Sequence, residues 1–337
     1  MTDPHHADPA AALPSNPRVG VIMPILNEER HIAEAVGAIL AQDAPAVDEV
    51  VLALGPSRDR TAAIAAELAA GDARVRLVQS PSGRTPDSLN AAIAGLSPEA
   101  DVVVRVDGHG VLSPGYVATA LRLLRETGAA NVGGIMQAEG VTPFERAVAR
   151  AMTSRLGVGA SAFHVGGEPG PTETVYLGVF RREWLARTGG YDPRFSRAQD
   201  WELNHRIREL GGVVWFSPEL QVAYRPRPTL AALARQYRDY GRWRRVVART
   251  HAGTMNARYL APPLALLAIA GGLVGGFLWA PLWVVPVGYA AAVTLGGLAI
   301  GGGLTLRERA YLPLILPTMH LPWGWGFLTS RVSIKDR

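Results

Sequence analysis

The sequence predicts an α/β fold: a mostly parallel sheet with helices on both faces, followed by a C-terminal transmembrane helical hairpin. Three observations predict it. Short apolar runs alternate with helical segments between residues 19 and 127, the pattern of a parallel sheet covered by helices. The apolar run 102–106 stops at Asp107-Gly108-His109, which sets a carboxylate and an imidazole at the carboxyl edge of the sheet, where open α/β folds bind ligands. Two nearly uncharged runs, 258–280 and 282–304, follow near the C-terminus.

At 337 residues the chain has room for one large domain and an appendage. Hydrophobic residues make up 48% and mean hydropathy is +0.10, with the excess after residue 258. The net charge of +5 rests almost wholly on arginine, since Lys335 is the only lysine; that bias alone names no partner. With no cysteine there is no disulfide framework, zinc–thiolate site or cysteine nucleophile. Residues 1–17 are polar and rich in Pro and Ala, without the basic start and apolar core of a signal peptide, and are expected to form a disordered tail. The adjacent His5-His6 reads as part of that tail rather than as a metal site.

The elements follow in order. Residues 19–24 (VGVIMP) form a buried strand, Asn27-Glu28-Glu29 a polar turn, and a helix runs to about Gln42. Strand 48–54 precedes helix 59–71, strand 74–79 precedes helix 86–95, and strand 101–106 precedes helix 115–127. A further strand lies near 130–137, and the Gly-, Ser- and Pro-rich stretch 153–172 is expected to be a long loop. Helix 200–210 opens with Gln199-Asp200-Trp201-Glu202. Residues 18–228 then make up the sheet domain, and 229–257 a basic amphipathic interfacial helix. Arg235, Arg238, Arg242, Arg245 and Arg249 share one face of it, beside a face of Gln236, Tyr240 and Trp243. Membrane segments fill 258–330. The two apolar runs, parted only by Ala280-Pro281, are each about 20 residues or roughly 30 Å as helix, enough to span. Arginine-rich flanks on both sides (225–249, then Arg307 and Arg309) put both ends of this hairpin in the cytoplasm. The stretch 311–329, broken by Pro313, Pro317 and Pro322, fits either a third span or an interfacial segment, and the basic Arg331, Lys335 and Arg337 favour a return to the cytoplasmic side.

Several groups of residues could carry chemistry, and each has a plain structural alternative. Pro24-Ile25-Leu26-Asn27-Glu28 ends a strand at the ligand edge, although Asn27 also suits a helix cap. Gly83-Arg84-Thr85 can meet a diphosphate with a guanidinium and backbone N–H groups, or be a solvated arginine. Asp107 and His109, two residues apart around a glycine, can reach one divalent ion, with the imidazole moving preference from Mg²⁺ toward Mn²⁺; the alternative is a turn carboxylate and a surface histidine. Asp200 can act as a general base or cap its helix. The arginine stripe can lie on anionic headgroups or grip a lipid-linked diphosphate. A membrane hairpin starting so soon after it argues against nucleic acid.

The order of these signals resembles the inverting family 2 glycosyltransferases with their GT-A fold, over roughly residues 18–250. The resemblance is nearest to the succinoglycan-type exopolysaccharide enzymes with C-terminal membrane segments. It rests on Arg-Val-Asp-x-His at 105–109, Asp-x-Glu-Leu-Asn-x-Arg from Asp200 to Arg206, and Gln-Tyr-x-x-Tyr-Gly-Arg-Trp at 236–243. It implies that Pro24, Asn27, Glu28, Arg84 and Asp107 bind the donor, that Asp107 and His109 hold a divalent cation (Mn²⁺ or Mg²⁺), and that Asp200 is the catalytic base. Gln236, Arg242 and Trp243 would contact acceptor and diphosphate. The implied enzyme is metal-dependent and sits in the cell membrane with its catalytic domain in the cytoplasm. It would move a hexose, glucose in the first instance, from a UDP-sugar or other nucleotide-diphosphate sugar to a polyprenyl-diphosphate-linked saccharide. Two departures stand out: Leu54 replaces the family's Asp at the end of the second strand, and Gln199 replaces the Glu before the base. A polyprenyl-phosphate acceptor is the alternative within the fold, and an inactive membrane-bound scaffold the alternative outside catalysis.

Overall fold

A computed structural model describes residues 13–42 and 47–334. Residues 1–12 of the expected tail, with His5 and His6, and the terminal Lys335 and Arg337 lie outside the described residues. The described part of the tail touches the sheet unit: Leu13 packs on the core, and Arg125 donates to the carbonyls of Pro14 and Ser15 at 3.2 and 2.9 Å.

The chain begins as strand–helix alternation: β1 (Val19–Ile25), α1 (Ile32–Leu40), β2 (Glu49–Leu54), α2 (Thr61–Gly71), β3 (Val75–Gln79), α3 (Thr85–Gly95) and β4 (Val102–Arg105). Then come β5 (Val111–Leu112), α4 (Tyr116–Thr127), β6 (Asn131–Ala138), α5 (Pro143–Met152) and two single-turn helices, α6 (Arg155–Val158) and α7 (Ala162–Val165). The short strand β7 (Gly170–Pro171) leads to β8 (Tyr176–Arg181), α8 (Arg182–Thr188), α9 (Gln199–Glu209) and β9 (Val214–Tyr224). The remainder is helical: α10 (Leu230–Thr250), α11 (Ala257–Gly275), a 3₁₀ turn at Ala280–Trp283, α12 (Val284–Ile300), α13 (Leu306–Arg309) and α14 (Leu312–Thr329). The expected loop 153–172 thus contains α6, α7 and β7.

Two units divide these elements. The first holds residues up to 137 together with 166–224. Its sheet runs β3-β2-β1-β4-β8-β6-β9-β5, with β7 on β9. The half β3-β2-β1-β4 is parallel, because α1, α2 and α3 supply the crossovers that parallel neighbours need. Beyond β4 the order turns antiparallel: β8 runs against β4 and β6, and β5 and β7 against β9. Val19, Val21, Ile22, Val50, Val51 and Val102–Val104 are all fully buried, as expected for parallel strands covered on both faces. The register Ile25↔Leu54 brings the ends of β1 and β2 level, and β4 runs parallel beside β1. The segments after β1, β2 and β4 therefore share one edge.

The second unit holds residues 138–165 and those from 225 onward, so 138–165, read from the sequence as part of the sheet domain, groups with the C-terminal helices. Its centre is the packing of α14 along α10. Leu233, Tyr237, Gly241, Trp243, Val246 and Val247 form the buried face of α10. A Cβ on Gly241 would overlap the Trp323 carbonyl oxygen, and one on Gly326 the Arg238 carbonyl oxygen, so the two backbones touch where both lack a side chain. The arginine stripe of α10 is divided between partners. Arg245 donates to the Phe327 and Leu328 carbonyls at 2.9 and 2.7 Å, and Arg249 to Ser330 at 3.3 Å. These close the C-terminal carbonyls of α14, whereas Arg235 and Arg238 are exposed. α11 and the stretch Ala280–Ile300 are long and apolar enough to cross a membrane, at mean hydropathies of 1.5 and 1.7. They pack as a hairpin whose tip residues Phe277 and Leu278 are 82% and 90% exposed.

Candidate active site

The candidate site of the first unit is built at the carboxyl edge of the parallel half. After β1 the chain turns sharply at Asn27, whose φ of 56° lies in the left-handed region that asparagine tolerates best after glycine. That turn is laced to the one after β2. The Asn27 N–H donates to the Ser57 hydroxyl at 3.0 Å and Asn27 Oδ1 accepts from the Arg58 N–H at 2.9 Å. The Glu28 N–H donates to the Thr61 hydroxyl at 2.7 Å, and Glu29 accepts from the Arg60 N–H at 3.1 Å. Pro24 is the last but one residue of β1, level with Ala53. Asn27 is a turn-former here, and the Glu28 side chain is left to point elsewhere.

It points at His109. Glu28 Oε1 lies 2.8 Å from His109 Nδ1. A carboxylate accepts, so the proton shared in this contact sits on Nδ1 of the ring. Gly108 permits this approach: a Cβ there would lie 2.7 Å from Glu28 Cγ and 3.1 Å from Ile25 Cδ1.

Asp107 is held by Arg105, with Nη2 to Oδ1 at 3.0 Å. The same guanidinium contacts Asp200 through Nη1. Arg105 is only 3% exposed and lies 5.8 Å from the centre of the Tyr191 ring. Burial disfavours its charge, and Asp107 and Tyr191 more than offset that, so it remains a cation. Burial likewise pushes the Asp107 carboxyl up, but Arg105, ahead of His109, holds it below the usual carboxylate range. Asp200 sits in the first turn of α9, which the chain enters through Ala198 at φ 60°.

Arg84 stands at the N-terminus of α3. Its guanidinium donates to the Pro193 carbonyl, and its Nε is 3.9 Å from Asp87. Of the residues named from sequence, Asp107, Asp200, Glu28 and His109 form two linked pairs in the first unit. Gln236, Arg242 and Trp243 belong to α10 in the second. There Gln236 donates to the Tyr240 hydroxyl at 2.7 Å, Arg242 pairs with Asp239 at 3.3 Å, and Trp243 is buried. Leu54 is a core residue and Gln199 is buried.

The residue that sequence reasoning passed over is Arg105, quoted as part of a motif but given no role. Its signal was plain: a lone cation inside the run Val102-Val103-Val104-Arg105-Val106 is buried and must find anions.

The donor set suits a divalent cation. Asp107 offers an oxygen not engaged by Arg105, and His109 has its Nδ1 held by a carboxylate, an arrangement that orients metal-ligating histidines. Among the described residues no three His, Cys, Asp or Glu side chains converge as a ready-made metal cage. That fits an ion held by one or two protein groups plus substrate phosphate oxygens.

Comparison with known proteins agrees with this architecture. The description of Glycosyl transferase family 2 matches residues 20–189. The chain is 33% identical, over 322 residues, to the succinoglycan biosynthesis protein ExoA of Rhizobium meliloti (strain 1021), covering 94% of this chain and 96% of that protein. It is 22% identical over 326 residues to a dolichyl N-acetyl-alpha-D-glucosaminyl phosphate 3-beta-D-2,3-diacetamido-2,3-dideoxy-beta-D-glucuronosyltransferase of Methanococcus voltae, covering 94% and 97%. Among solved structures, the mannosyltransferase PcManGT from Pyrobaculum calidifontis, in complex with GDP-Man and Mn²⁺, superposes with a TM-score of 0.64 at 20% identity, over 96% of this chain and 90% of that one. That likeness is one of fold.

Proposed function

The chain belongs to glycosyl transferase family 2 and has its GT-A fold, and from that premise we propose a metal-dependent, inverting enzyme of polysaccharide assembly. It moves a hexose from a nucleotide-diphosphate sugar, UDP-glucose in the first instance, to a polyprenyl-diphosphate-linked saccharide at the cytoplasmic face of the cell membrane. The observation that carries this is the linkage of Asp107, at the end of β4, to Asp200, at the start of α9, through one buried guanidinium. It supplies a carboxylate for the donor diphosphate and one for the acceptor at the same sheet edge.

In this mechanism Pro24, Asn27 and Glu28 shape the donor side, and Arg84 and Asp107 take the diphosphate. A divalent cation held by Asp107 and His109 would supply positive charge against the leaving nucleoside diphosphate. Asp200 accepts the proton of an acceptor hydroxyl on the carboxylate oxygen that Arg105 does not engage. The freed oxygen attacks the anomeric carbon, the bond to the diphosphate breaks, and the configuration inverts. Glu28 holds the Nδ1 proton of His109 and so orients the ring, which with Asp107 would hold the ion. Gln236, Arg242 and Trp243 would serve the acceptor. The hairpin α11–α12 would hold the enzyme at the bilayer, where lipid-linked acceptor is concentrated.

The curated relatives support the acceptor class. One is named for succinoglycan biosynthesis and the other for transfer to a dolichyl-phosphate-linked sugar, which favours a lipid-linked saccharide over polyprenyl phosphate itself. The test is a panel of nucleotide sugars, GDP-mannose included, given to membranes bearing the protein with Mn²⁺ or Mg²⁺ and scored for lipid-linked product. Supplying polyprenyl phosphate and polyprenyl-diphosphate-linked sugar in separate arms decides the acceptor. Asp200→Asn should cut transfer by about 10²–10⁴-fold; near-full transfer by that variant would remove Asp200 from the role of base.

A further inference from the structure

We propose that Arg105 is a positioning residue: its guanidinium fixes the base Asp200 and the diphosphate-side Asp107 at one set separation. This rests on the roles assigned above to those two carboxylates. Arg105 is too deeply buried, at 3% exposure, to serve as a substrate ligand itself, so any part it takes in the reaction acts through its partners.

Its surroundings are those of a fixed fork. The strand around it is sealed, with Val102, Val103, Val104 and Val106 all fully buried. A cation there is tolerated only when paired, and one carboxylate would neutralise it. Two are present, from segments far apart in the chain. Arg197 also acts on Asp107, but among the described residues Arg105 alone contacts both carboxylates, and two like charges drawn onto one guanidinium, in a site where each has separate work, is a costly arrangement to keep for stability alone. A guanidinium presents several N–H groups in one rigid plane and can bind both carboxylates at once, which an ammonium on a flexible stem cannot do with the same geometry. The plane is itself held. Tyr191, 1% exposed, lies beside it, and its backbone is tied to Asn90 in both directions, Asn90 Nδ2 to the Tyr191 carbonyl at 2.7 Å and the Tyr191 N–H to Asn90 Oδ1 at 2.9 Å. Arg206, on the same helix as Asp200, donates to the Gly190 carbonyl at 2.9 Å. The fork is therefore gripped from α3 and α9 as well as from β4.

The experiment compares Arg105→Lys, Arg105→Gln, Asp200→Asn and the double variant Arg105→Gln/Asp200→Asn, in which one charge of each sign is removed together. Two readouts are taken: Mn²⁺ affinity of the full chain by electron paramagnetic resonance of the free ion, and kcat with donor KM for the best donor–acceptor pair of the panel. Arg105→Lys and Arg105→Gln should lower kcat by about 100-fold, the scale of a small misplacement of reacting groups, with donor KM within about 3-fold. Mn²⁺ binding should weaken by about 10-fold through the loosened Asp107. The double variant should be no less active than Asp200→Asn alone, within about 3-fold, because residues acting as one unit are not additive.

Wild-type kcat and Mn²⁺ affinity in Arg105→Lys would overturn the proposal, and so would losses that multiply in the double variant, which mark a purely structural role. Failure of the functional assignment looks different: wild-type protein is inactive across the panel, or Asp200→Asn is fully active. The Mn²⁺ readout then decides for Arg105, with an unchanged affinity overturning its part in placing Asp107 and a weakened one supporting it.

Discussion

Replacing Gly108 by alanine should disarm the site while leaving the fold standing. The new Cβ would lie 2.7 Å from Glu28 Cγ, 3.2 Å from Glu28 Cδ and 3.1 Å from Ile25 Cδ1, against about 3.5–4.0 Å for relaxed carbon contacts. Ile25 is a buried core residue that cannot retreat, so Glu28 must swing away, and its 2.8 Å contact with His109 goes with it. Because Glu28 and His109 are both partly exposed, water takes up much of what is lost. The cost is that of one charge-assisted hydrogen bond, about 1.5 kcal/mol, or roughly 3–6 °C in melting midpoint for a unit of this size. Function should suffer more: with its Nδ1 partner gone, the His109 ring is no longer oriented, and metal affinity and transfer rate should each fall by about 10–100-fold. The assay pairs a thermal melt with an Mn²⁺ titration of the same preparation. Alanine at 108 with unchanged Mn²⁺ affinity and rate would show that the Glu28–His109 pair does not orient the ion. A collapse of the melting midpoint by more than about 10 °C would show that the contact is chiefly structural.

Other substitutions have equally definite outcomes. His109→Ala should weaken metal dependence by about 10–100-fold while the melting midpoint shifts little, since the ring is partly exposed; a variant that unfolds before it loses metal response would contradict this. Gly241→Ala should destabilise by about 1–3 kcal/mol, the range for overpacking, because the added carbon overlaps the Trp323 carbonyl. Gly37→Ala, in α1 with nothing within 4 Å of the new carbon, should instead stabilise by about 0.5–1 kcal/mol, and equal effects at the two sites would refute the close approach of α10 and α14. Ala198→Gly should gain about 0.5 kcal/mol: relief of a left-handed alanine at φ 60° outweighs the extra freedom of glycine in the unfolded chain. A loss as large as the usual cost of an Ala→Gly change in a helix, about 1 kcal/mol, would refute it.

The parallel half of the sheet was legible because covered strands read as continuous apolar runs, and helix signals separate them. Asp107 and His109 were legible for the same reason, as the first polar residues after such a run. Of the antiparallel half only β6 was, as the strand near 130–137; β5, β7, β8 and β9 were not. β8 carries Gly178 and β9 carries Pro218; both residues argue locally against a strand, and tertiary pairing overrides them. Helix α14 survives Pro317 and Pro322 inside it, since its packing on α10 compensates for the missing hydrogen bonds. The pairing of Glu28 with His109 is a contact across the sheet edge that one-dimensional spacing cannot encode. Arg105 differs, because a buried strand cation could have been flagged from sequence alone, and overlooking it hid the link between the two carboxylates. In α10, helical spacing correctly put five arginines on one face, but not that two of them would end on the carbonyls of α14.

Those carbonyls bear on how the protein can be handled. A soluble version made by stopping translation after α10 would remove more than the greasy hairpin. It would strip the seam of α10 around Gly241, leaving Leu233, Tyr237 and Val247 bare and the guanidiniums of Arg245 and Arg249 without their acceptors. Such a product should clump for reasons unrelated to the bilayer. The last helix belongs to the body of the second unit although it is translated after α11 and α12.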